Sequence, residues 1–149
     1  MEIKIREMAI EDIDDILVIE HESFSVPWPR EAFESEVLRN AISVYIVAET
    51  EGEIIGYGGM WLILDEAHIT NVAVKESLRG NGVGERLAQF LIDEASKSGA
   101  ISMTLEVRKG NAAAISLYEK MEFVVEGIRP GYYQDNKEDA LIMWKRGGK

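Results

Sequence analysis

The sequence predicts a mixed α/β (α+β) domain with one central sheet of about six to seven strands and about four flanking helices. Two kinds of spacing support this prediction. Apolar residues alternate in seven short segments, as in strands, and recur every three or four positions in four further segments, as in helices. A length of 149 residues suits one domain with a sizeable core. Because no repeat or linker is visible, we expect residues 1–149 to form a single domain.

The first half of the chain is predicted to form a strand, two helices and three further strands. Ile3 and Ile5 alternate with charged residues and indicate an opening strand. The apolar residues between 10 and 17 follow helical spacing, and the two prolines of Ser25–Pro29 end that helix before a second one at Arg30–Leu38. Three β-rich segments separated by turns then predict a three-strand meander: Val44–Glu49, Ile54–Leu64 and His68–Val74.

The second half is predicted to form two helices and three strands. Apolar residues recur every four positions in a helix from Val83 to about Ser98, and Gly99 ends it. The segment Ser102–Arg108 alternates as a strand, and Asn111 is suited to cap a helix over Ala112–Met121. The last two strands are predicted at Phe123–Glu126 and Ala140–Lys145.

The composition argues against several classes of function. The absence of cysteine excludes disulfides, thiolate metal sites and a cysteine nucleophile. The two histidines, His21 and His68, are too isolated to suggest a metal site, although His68 is kept as a second candidate base. The net charge of −11 argues against direct binding of nucleic acid and permits a cationic partner. The N-terminal segment is charged and the longest apolar run, Ile54–Leu64, is too short to cross a bilayer, so we expect a cytoplasmic protein without membrane contact.

The segment Leu78–Phe90, LRGNGVGERLAQF, combines a glycine-rich loop with the start of a predicted helix. Free N–H groups and the positive end of the helix dipole attract anions there, and Arg79 adds a positive charge. The phosphate loop of nucleotide hydrolases does not fit because no lysine follows the glycines, and the dinucleotide-binding fingerprint lacks its third glycine. These residues alone leave two interpretations, a site for a phosphate-containing ligand and an ordinary glycine-rich turn.

Together with neighbouring segments, this loop resembles the acetyl-coenzyme A site of the Gcn5-related N-acetyltransferase (GNAT) superfamily. The similar segments are Asp65–Ala67, Asn71–Val74, Arg79–Gly84, Leu105–Arg108 with Asn111 and Ala114, Leu117–Phe123, Gly131–Tyr133 and Glu138–Ala140. The later segments are similar to the branch that acetylates protein N-termini. Within that branch, the nearest resemblance is to bacterial enzymes that acetylate the N-terminal alanine of a small-subunit ribosomal protein. Glu122 departs from the pattern, since the family usually has glycine there.

The resemblance implies that the protein uses acetyl-coenzyme A (acetyl-CoA) and no metal. The backbone of the glycine loop would hold the pyrophosphate, the preceding strand would pair with the pantetheine arm, and Asn111 would contact the coenzyme as well as cap its helix. A backbone N–H near Val74 would stabilise the oxyanion. The implied cofactor-binding residues are Val72, Ala73, Val74, Arg79, Gly80, Asn81, Gly82, Val83, Gly84, Glu85, Asn111 and Tyr118.

The resemblance also implies catalytic roles for Glu106 and Tyr118. Glu106 would take a proton from the acceptor amine through water, and because an α-amine has a pKa of about 8, the base need not be strong. Tyr118 would protonate the departing thiolate. Simpler interpretations stay open, a solvated strand residue for Glu106 and a core aromatic for Tyr118. No Gly-x-Ser-x-Gly segment and no cysteine is present, so we expect direct attack without a covalent intermediate.

Three functions remain compatible with the sequence. The first is an Nα-acetyltransferase whose partner is a protein N-terminus, with a ribosomal protein as the expected acceptor. Its substrate-binding residues would be Trp28, Tyr132, Tyr133 and Glu138, although loop aromatics can also cover the edge of a core. The second is an acetyltransferase for a small amine such as a polyamine or an aminoglycoside. The third is a non-catalytic module that binds coenzyme A, against which the presence of both Glu106 and Tyr118 counts.

The charge of the chain bears on the choice of acceptor. A net charge of −11 and the acidic pair Glu138–Asp139 predict a preference for peptides with basic residues just after the free α-amine. The ribosomal acceptor of the resembled enzymes begins with alanine followed by arginine, which agrees with this expectation.

Overall fold

The computed structural model describes residues 2–147. Over this part of the chain, seven strands form one sheet and four helices lie on its two faces, which confirms the predicted fold class. The strands are β1 (Lys4–Glu7), β2 (Ser43–Thr50), β3 (Glu53–Ile63), β4 (Glu66–Val74), β5 (Ser102–Arg108), β6 (Val124–Arg129) and β7 (Ala140–Arg146). The helices are α1 (Ile13–Ser23), α2 (Arg30–Leu38), α3 (Val83–Lys97) and α4 (Ala112–Lys120). No helix between residues 2 and 147 is long and apolar enough to cross a bilayer.

The sheet has the order β1-β2-β3-β4-β5-β7-β6, and its neighbouring strands are antiparallel except for β4 and β5. These two parallel strands pair only through Glu66–His68 and Ser102–Thr104. Beyond that point they diverge, so residues 69–74 of β4 and 105–108 of β5 are not paired with each other. The two unpaired edges leave an opening in the middle of the sheet.

Each face of the sheet has its own core. Helices α3 and α4 cover one face, where Leu87 of α3 packs in the same buried cluster as Leu105 of β5. Helices α1 and α2 cover the other face, where Ile16 and Phe33 are completely buried. Buried and partly exposed residues alternate along β5, so Glu106 lies on the face opposite Leu105, which is the α1–α2 face.

Local signals set several helix ends. Helix α1 ends at Ser23 and α2 begins directly after Pro29, because the intervening prolines cannot continue a helix. Asn111 caps α4 by accepting a hydrogen bond from the N–H of Ala114 at 3.1 Å. The predicted first helix begins with a tighter 3₁₀ turn at Ile10–Asp12 before α1.

Two strands have a boundary that differs from the prediction by two residues or more. Strand β6 continues to Arg129, beyond the predicted end at Glu126, and it ends where Pro130 has no N–H to donate. Strand β4 begins at Glu66, before its predicted start, because Leu64, with a φ of 57°, turns the chain earlier than the sequence pattern suggests.

Glu122 occupies a left-handed position two residues after the end of α4, with a φ of 76°. This conformation costs an L residue about 1–2 kcal/mol relative to glycine. The side chain is 81% exposed and reaches Nζ of Lys145 at 3.3 Å. Glu122 therefore adopts the backbone conformation that favours the family's usual glycine, at the cost of some backbone strain.

Candidate active site

A cleft of about 450 Å³ occupies the opening between β4 and β5. Its walls come from both strands, from α4 and from the loops after α1 and after β6. The lining residues include Trp28, Thr70, Val72, Glu106, Arg108, Asn111, Tyr118 and Tyr133. The structure thus brings together both predicted catalytic residues and members of both predicted binding sets. Within residues 2–147, no group of three or more histidine, aspartate or glutamate side chains gathers as a metal site would require.

Glu106 lies on the α1–α2 side of the cleft with both carboxylate oxygens in contact with basic side chains. Its Oε1 lies 3.1 Å from Nε2 of His68, and its Oε2 lies 3.4 Å from Nε of Arg129. The side chain is 18% exposed, so the carboxylate can be reached from the cleft and is otherwise shielded from solvent. The two contacts hold the carboxylate in one orientation, which suits a residue that must meet a proton at a defined point.

His68 contacts the predicted base directly, although the sequence offered it only as a second candidate. It pairs with Thr104 in the short parallel ladder, which places its side chain beside the next residue on that face of β5, Glu106. The ring also packs edge-on against Trp61, with 5.9 Å between the ring centroids. The available sequence signal was weak, because it consisted only of one polar residue in each of two separate strands.

Tyr118 reaches the cleft from α4, on the opposite face of the sheet from Glu106. The residue is 6% exposed and packs edge-on against Phe123, with 5.6 Å between the ring centroids, so it is a core aromatic as well as a cleft residue. Burial raises the pKa of its phenol above the ordinary value and keeps the group protonated at neutral pH. No hydrogen-bond partner for the hydroxyl is found within residues 2–147, so this chain does not engage its proton elsewhere.

The glycine loop has the conformation that an anion site needs. Gly80 and Gly82 have φ angles of 84° and 82°, and a Cβ at either position would meet no atom within 4 Å. Both residues therefore present open backbone to solvent. In the part of the chain that the structure describes, no acceptor is paired with the N–H groups of residues 80–85. The loop accordingly fits the pyrophosphate that the family resemblance leads us to expect.

Arg79 joins the glycine loop to two neighbouring elements. Its Nε donates to the carbonyl of Val74 at 3.1 Å, and its Nη2 donates to Oγ of Ser23 at 3.0 Å. The side-chain amide of Asn81 donates to the carbonyl of Leu78 at 3.0 Å. The two arginine contacts tie the guanidinium to the end of β4 and to α1, and the Asn81 contact closes the loop on Leu78.

The other predicted cofactor-binding residues take different positions. Val72 lines the cleft, whereas the side chain of Ala73 is buried in the core beneath α1 and α2. Val83 is buried in the opposite core, and Glu85 pairs with Lys120 at 2.9 Å. For Ala73 and Val83, only the backbone could therefore meet a ligand.

The structure brings two of the four predicted substrate-binding residues to the cleft. Trp28 and Tyr133 line it. Tyr132 packs edge-on against Tyr133, with 5.1 Å between the ring centroids, and lies outside the lining with 47% of its surface exposed. Glu138 also lies outside, where its carboxylate accepts a hydrogen bond from the N–H of Gly110 at 2.7 Å.

A β-bulge in β4 is a feature of the cleft that the sequence analysis missed. The pairing of β4 with β3 passes over Thr70, which is the extra residue of the bulge and lines the cleft. Its hydroxyl lies 2.8 Å from the hydroxyl of Tyr45. Bulges change the direction of a strand and re-aim its side chains, so this one helps β4 to turn away from β5. Thr70 fits the local β-rich pattern, and no sequence signal marked the bulge.

Comparison with known families matches residues 13–123 to the acetyltransferase (GNAT) family. A candidate ribosomal protein bS18-alanine N-acetyltransferase of Bacillus subtilis (strain 168) is 43% identical over 140 residues, which cover 94% of this chain and 93% of that protein. The ribosomal protein bS18-alanine N-acetyltransferase of Escherichia coli (strain K12) is 36% identical over 127 residues, which cover 84% of each chain.

Solved structures share the architecture. The crystal structure of the Escherichia coli ribosomal-protein-S18-alanine N-acetyltransferase matches with a TM-score of 0.89 and 33% identity, over 97% of this chain and 94% of that chain. Ard1 from Thermoplasma volcanium matches with a TM-score of 0.90 and 27% identity, over 99% of both chains. At these coverages, the shared fold includes nearly the whole of each chain.

Proposed function

Since the chain belongs to the acetyltransferase (GNAT) family and is an N-acetyltransferase, we propose that it transfers the acetyl group of acetyl-CoA to the α-amine of a protein N-terminus, with the N-terminal alanine of ribosomal protein bS18 as its acceptor. One observation carries this proposal. The cleft between the parted strands has Glu106 on one face of the sheet and Tyr118 on the other. A proton acceptor and a proton donor thus flank the space where an amine and a thioester would meet.

The glycine loop and the open edge of β4 support the assignment of acetyl-CoA. The free N–H groups of residues 80–85 suit its pyrophosphate. The unpaired edge of β4 suits the amide groups of the pantetheine arm, which can bond to a strand edge as another strand does. Bound there, acetyl-CoA supplies an activated acetyl carbonyl. We assign stabilisation of the oxyanion to a backbone N–H near Val74 and a coenzyme contact to Asn111, which lines the cleft.

We assign Glu106 as the general base and Tyr118 as the general acid. Glu106 takes a proton from the acceptor's ammonium group through a water molecule, and the low basicity of an α-amine, with a pKa of about 8, keeps this step accessible. The neutral amine then adds to the acetyl carbonyl to form the C–N bond, its nitrogen gives up a second proton to solvent water, and the C–S bond breaks. Tyr118 gives its phenolic proton to the departing sulfur. His68 is a positioning residue, since its Nε2 holds Oε1 of Glu106 at 3.1 Å.

Two observations support a protein N-terminus as the acceptor. The relatives at 43% and 36% identity are named as ribosomal protein bS18-alanine N-acetyltransferases, and they match this chain over most of its length. In addition, Trp28 and Tyr133 line the cleft and offer apolar surfaces that suit a small first residue such as alanine.

Release of free thiol from acetyl-CoA tests the proposal. The acceptors are a peptide beginning Ala-Arg-Tyr-Phe, its Ala-Glu counterpart, spermidine and, as the matched control, the first peptide with its α-amine already acetylated. We expect the highest kcat/KM for Ala-Arg-Tyr-Phe, an advantage that falls with rising salt, and no thiol release with the blocked control. A higher kcat/KM for spermidine would favour the small-amine function. If no amine releases thiol, the protein is a non-catalytic module.

A further inference from the structure

Two loops meet across one end of the cleft. The first, residues 24–29, joins α1 to α2, and the second, residues 130–139, joins β6 to β7. Oγ of Ser25 in the first loop donates to Oδ2 of Asp135 in the second at 2.6 Å. Within residues 2–147, this is the one side-chain hydrogen bond between the two loops. The partners are 110 positions apart in the chain, and no strand pairing brings them together.

Arg108 ties this contact to the strand that bears the base. It follows Glu106 by two positions on the same face of β5. Its Nη1 and Nη2 each donate to a carboxylate oxygen of Asp135 at 3.1 Å, and its guanidinium lies 4.0 Å from the ring centroid of Tyr133. A bidentate contact of this kind fixes the orientation of a carboxylate more firmly than a single hydrogen bond. Asp135 is therefore held in place for Ser25.

The first loop is also anchored on the far side of the cleft. The N–H of Trp28 donates to Oε2 of Glu20 at 2.9 Å, and Glu20 is a buried residue of α1 that also accepts a hydrogen bond from Tyr57. The first loop is thus held by α1 at Trp28 and by the second loop at Ser25. Both contacts lie beside the lining side chains Trp28 and Tyr133.

We infer that Ser25, Asp135 and Arg108 form a strap across the acceptor end of the cleft, and that the strap holds Trp28 and Tyr133 at the spacing that the acceptor's first residue requires. The three are positioning residues, since they act through the two aromatic walls. This inference rests on the proposed function. It predicts an effect on acceptor binding, because the strap touches neither the glycine loop nor Tyr118.

Kinetics with one substrate varied at a time test the strap. Ser25→Ala and Asp135→Asn should each raise the acceptor KM roughly tenfold, as expected for one lost hydrogen bond to a charged group, with kcat and the acetyl-CoA KM within about twofold of wild type. The double variant should be no worse than the single ones, because either change opens the same contact. Arg108→Lys should raise the acceptor KM as Asp135→Asn does, since a lysine cannot make the bidentate contact. Gln134→Ala, an exposed neighbour in the second loop, is the matched control and should leave the kinetics unchanged.

Hydrogen exchange on the free protein tests the strap without any acceptor. In Ser25→Ala, the backbone amides of residues 24–26, 28 and 131–137 should exchange faster together, while those of the glycine loop stay at the wild-type rate. This measurement still decides the inference if wild-type protein acetylates no peptide, an outcome that would refute the proposed function alone. Unchanged exchange in both loops overturns the strap. An acceptor KM that stays within twofold of wild type, or a loss confined to kcat, overturns it as well.

Discussion

Replacing Gly59 by alanine should destabilise the protein far more than the same change at Gly58. The two glycines are neighbours in β3 and point to opposite faces of the sheet. A Cβ at Gly59 would lie 2.3 to 2.6 Å from three ring atoms of Tyr45, which is 4% exposed and bonded through its hydroxyl to Thr70 at 2.8 Å. A Cβ at Gly58 would meet its nearest atom, Cδ1 of Leu91, at 3.3 Å, and that flexible side chain can yield.

The expected cost at Gly59 follows from these contacts. Forcing a buried ring out of its packing costs about 1–3 kcal/mol, and loss of the hydrogen bond to Thr70 costs roughly 1 kcal/mol more. Alanine recovers about 0.5 kcal/mol because it loses less backbone freedom on folding than glycine. We therefore expect Gly59→Ala to lower the free energy of unfolding by about 1.5–3.5 kcal/mol and Tm by about 3–14 °C, with Gly58→Ala within about 1 kcal/mol and 3 °C of wild type.

Thermal and urea unfolding, both followed by circular dichroism, measure these differences. A double-mutant cycle sharpens the test, because Tyr45→Ala removes the ring that the new methyl group would strike. In that background Gly59→Ala should cost less than about 1 kcal/mol. Equal costs at Gly58 and Gly59, or an undiminished cost at Gly59 without the Tyr45 ring, would refute the reasoning.

Two further predictions concern the proposed chemistry. Glu106→Gln should lower kcat by about 100-fold or more, because only proton removal is lost, and calorimetry should find unchanged affinity for acetyl-CoA. Tyr118→Phe should also lower kcat, because it slows the step that releases the thiolate. If both variants kept full turnover, His68 would become the candidate base. In calorimetry on folded protein, Gly82→Ala should weaken acetyl-CoA binding more than Gly84→Ala. Gly82 has a φ of 82° beside the free N–H groups, a conformation that alanine disfavours. A Cβ at Gly84, by contrast, would lie in ordinary contact 3.6 Å from a leucine. Equal affinities would argue against the pyrophosphate assignment.

Where a local sequence signal marks a helix or strand, its first and last residues could be predicted from the sequence. Helix α2 has the predicted bounds, Arg30–Leu38, because a proline precedes it and its apolar spacing is helical. Strand β5 has the predicted bounds, Ser102–Arg108, because alternation along a strand needs no information from distant segments. The cap formed by Asn111 is local in the same sense, since donor and acceptor are three residues apart.

The contacts that complete the candidate site could not be predicted in this way. His68 meets Glu106 across 38 positions, and Ser25 meets Asp135 across 110. The first contact depends on the order of the strands and on the register between them, and a one-residue slip would send either side chain to the other face of the sheet. The second depends on the paths of two loops, since no strand pairing brings its partners together. Aromatic loops were visible as candidates for substrate contact, but which of Tyr132 and Tyr133 faces the cleft depended on the path of the folded loop.

By itself, the sequence determined the succession of strands and helices, the side of β5 that carries Glu106, and the glycine loop before α3, because spacing and turn chemistry encode these features over a few residues. Only the tertiary structure decided that β4 and β5 part after three paired residues. The parting depends on the twist of the sheet, the bulge at Thr70 and the packing of helices on both faces, which act together across the whole domain. The parting of the two strands opens the cleft, and Glu106 on one face of the sheet and Tyr118 on the other both line that cleft.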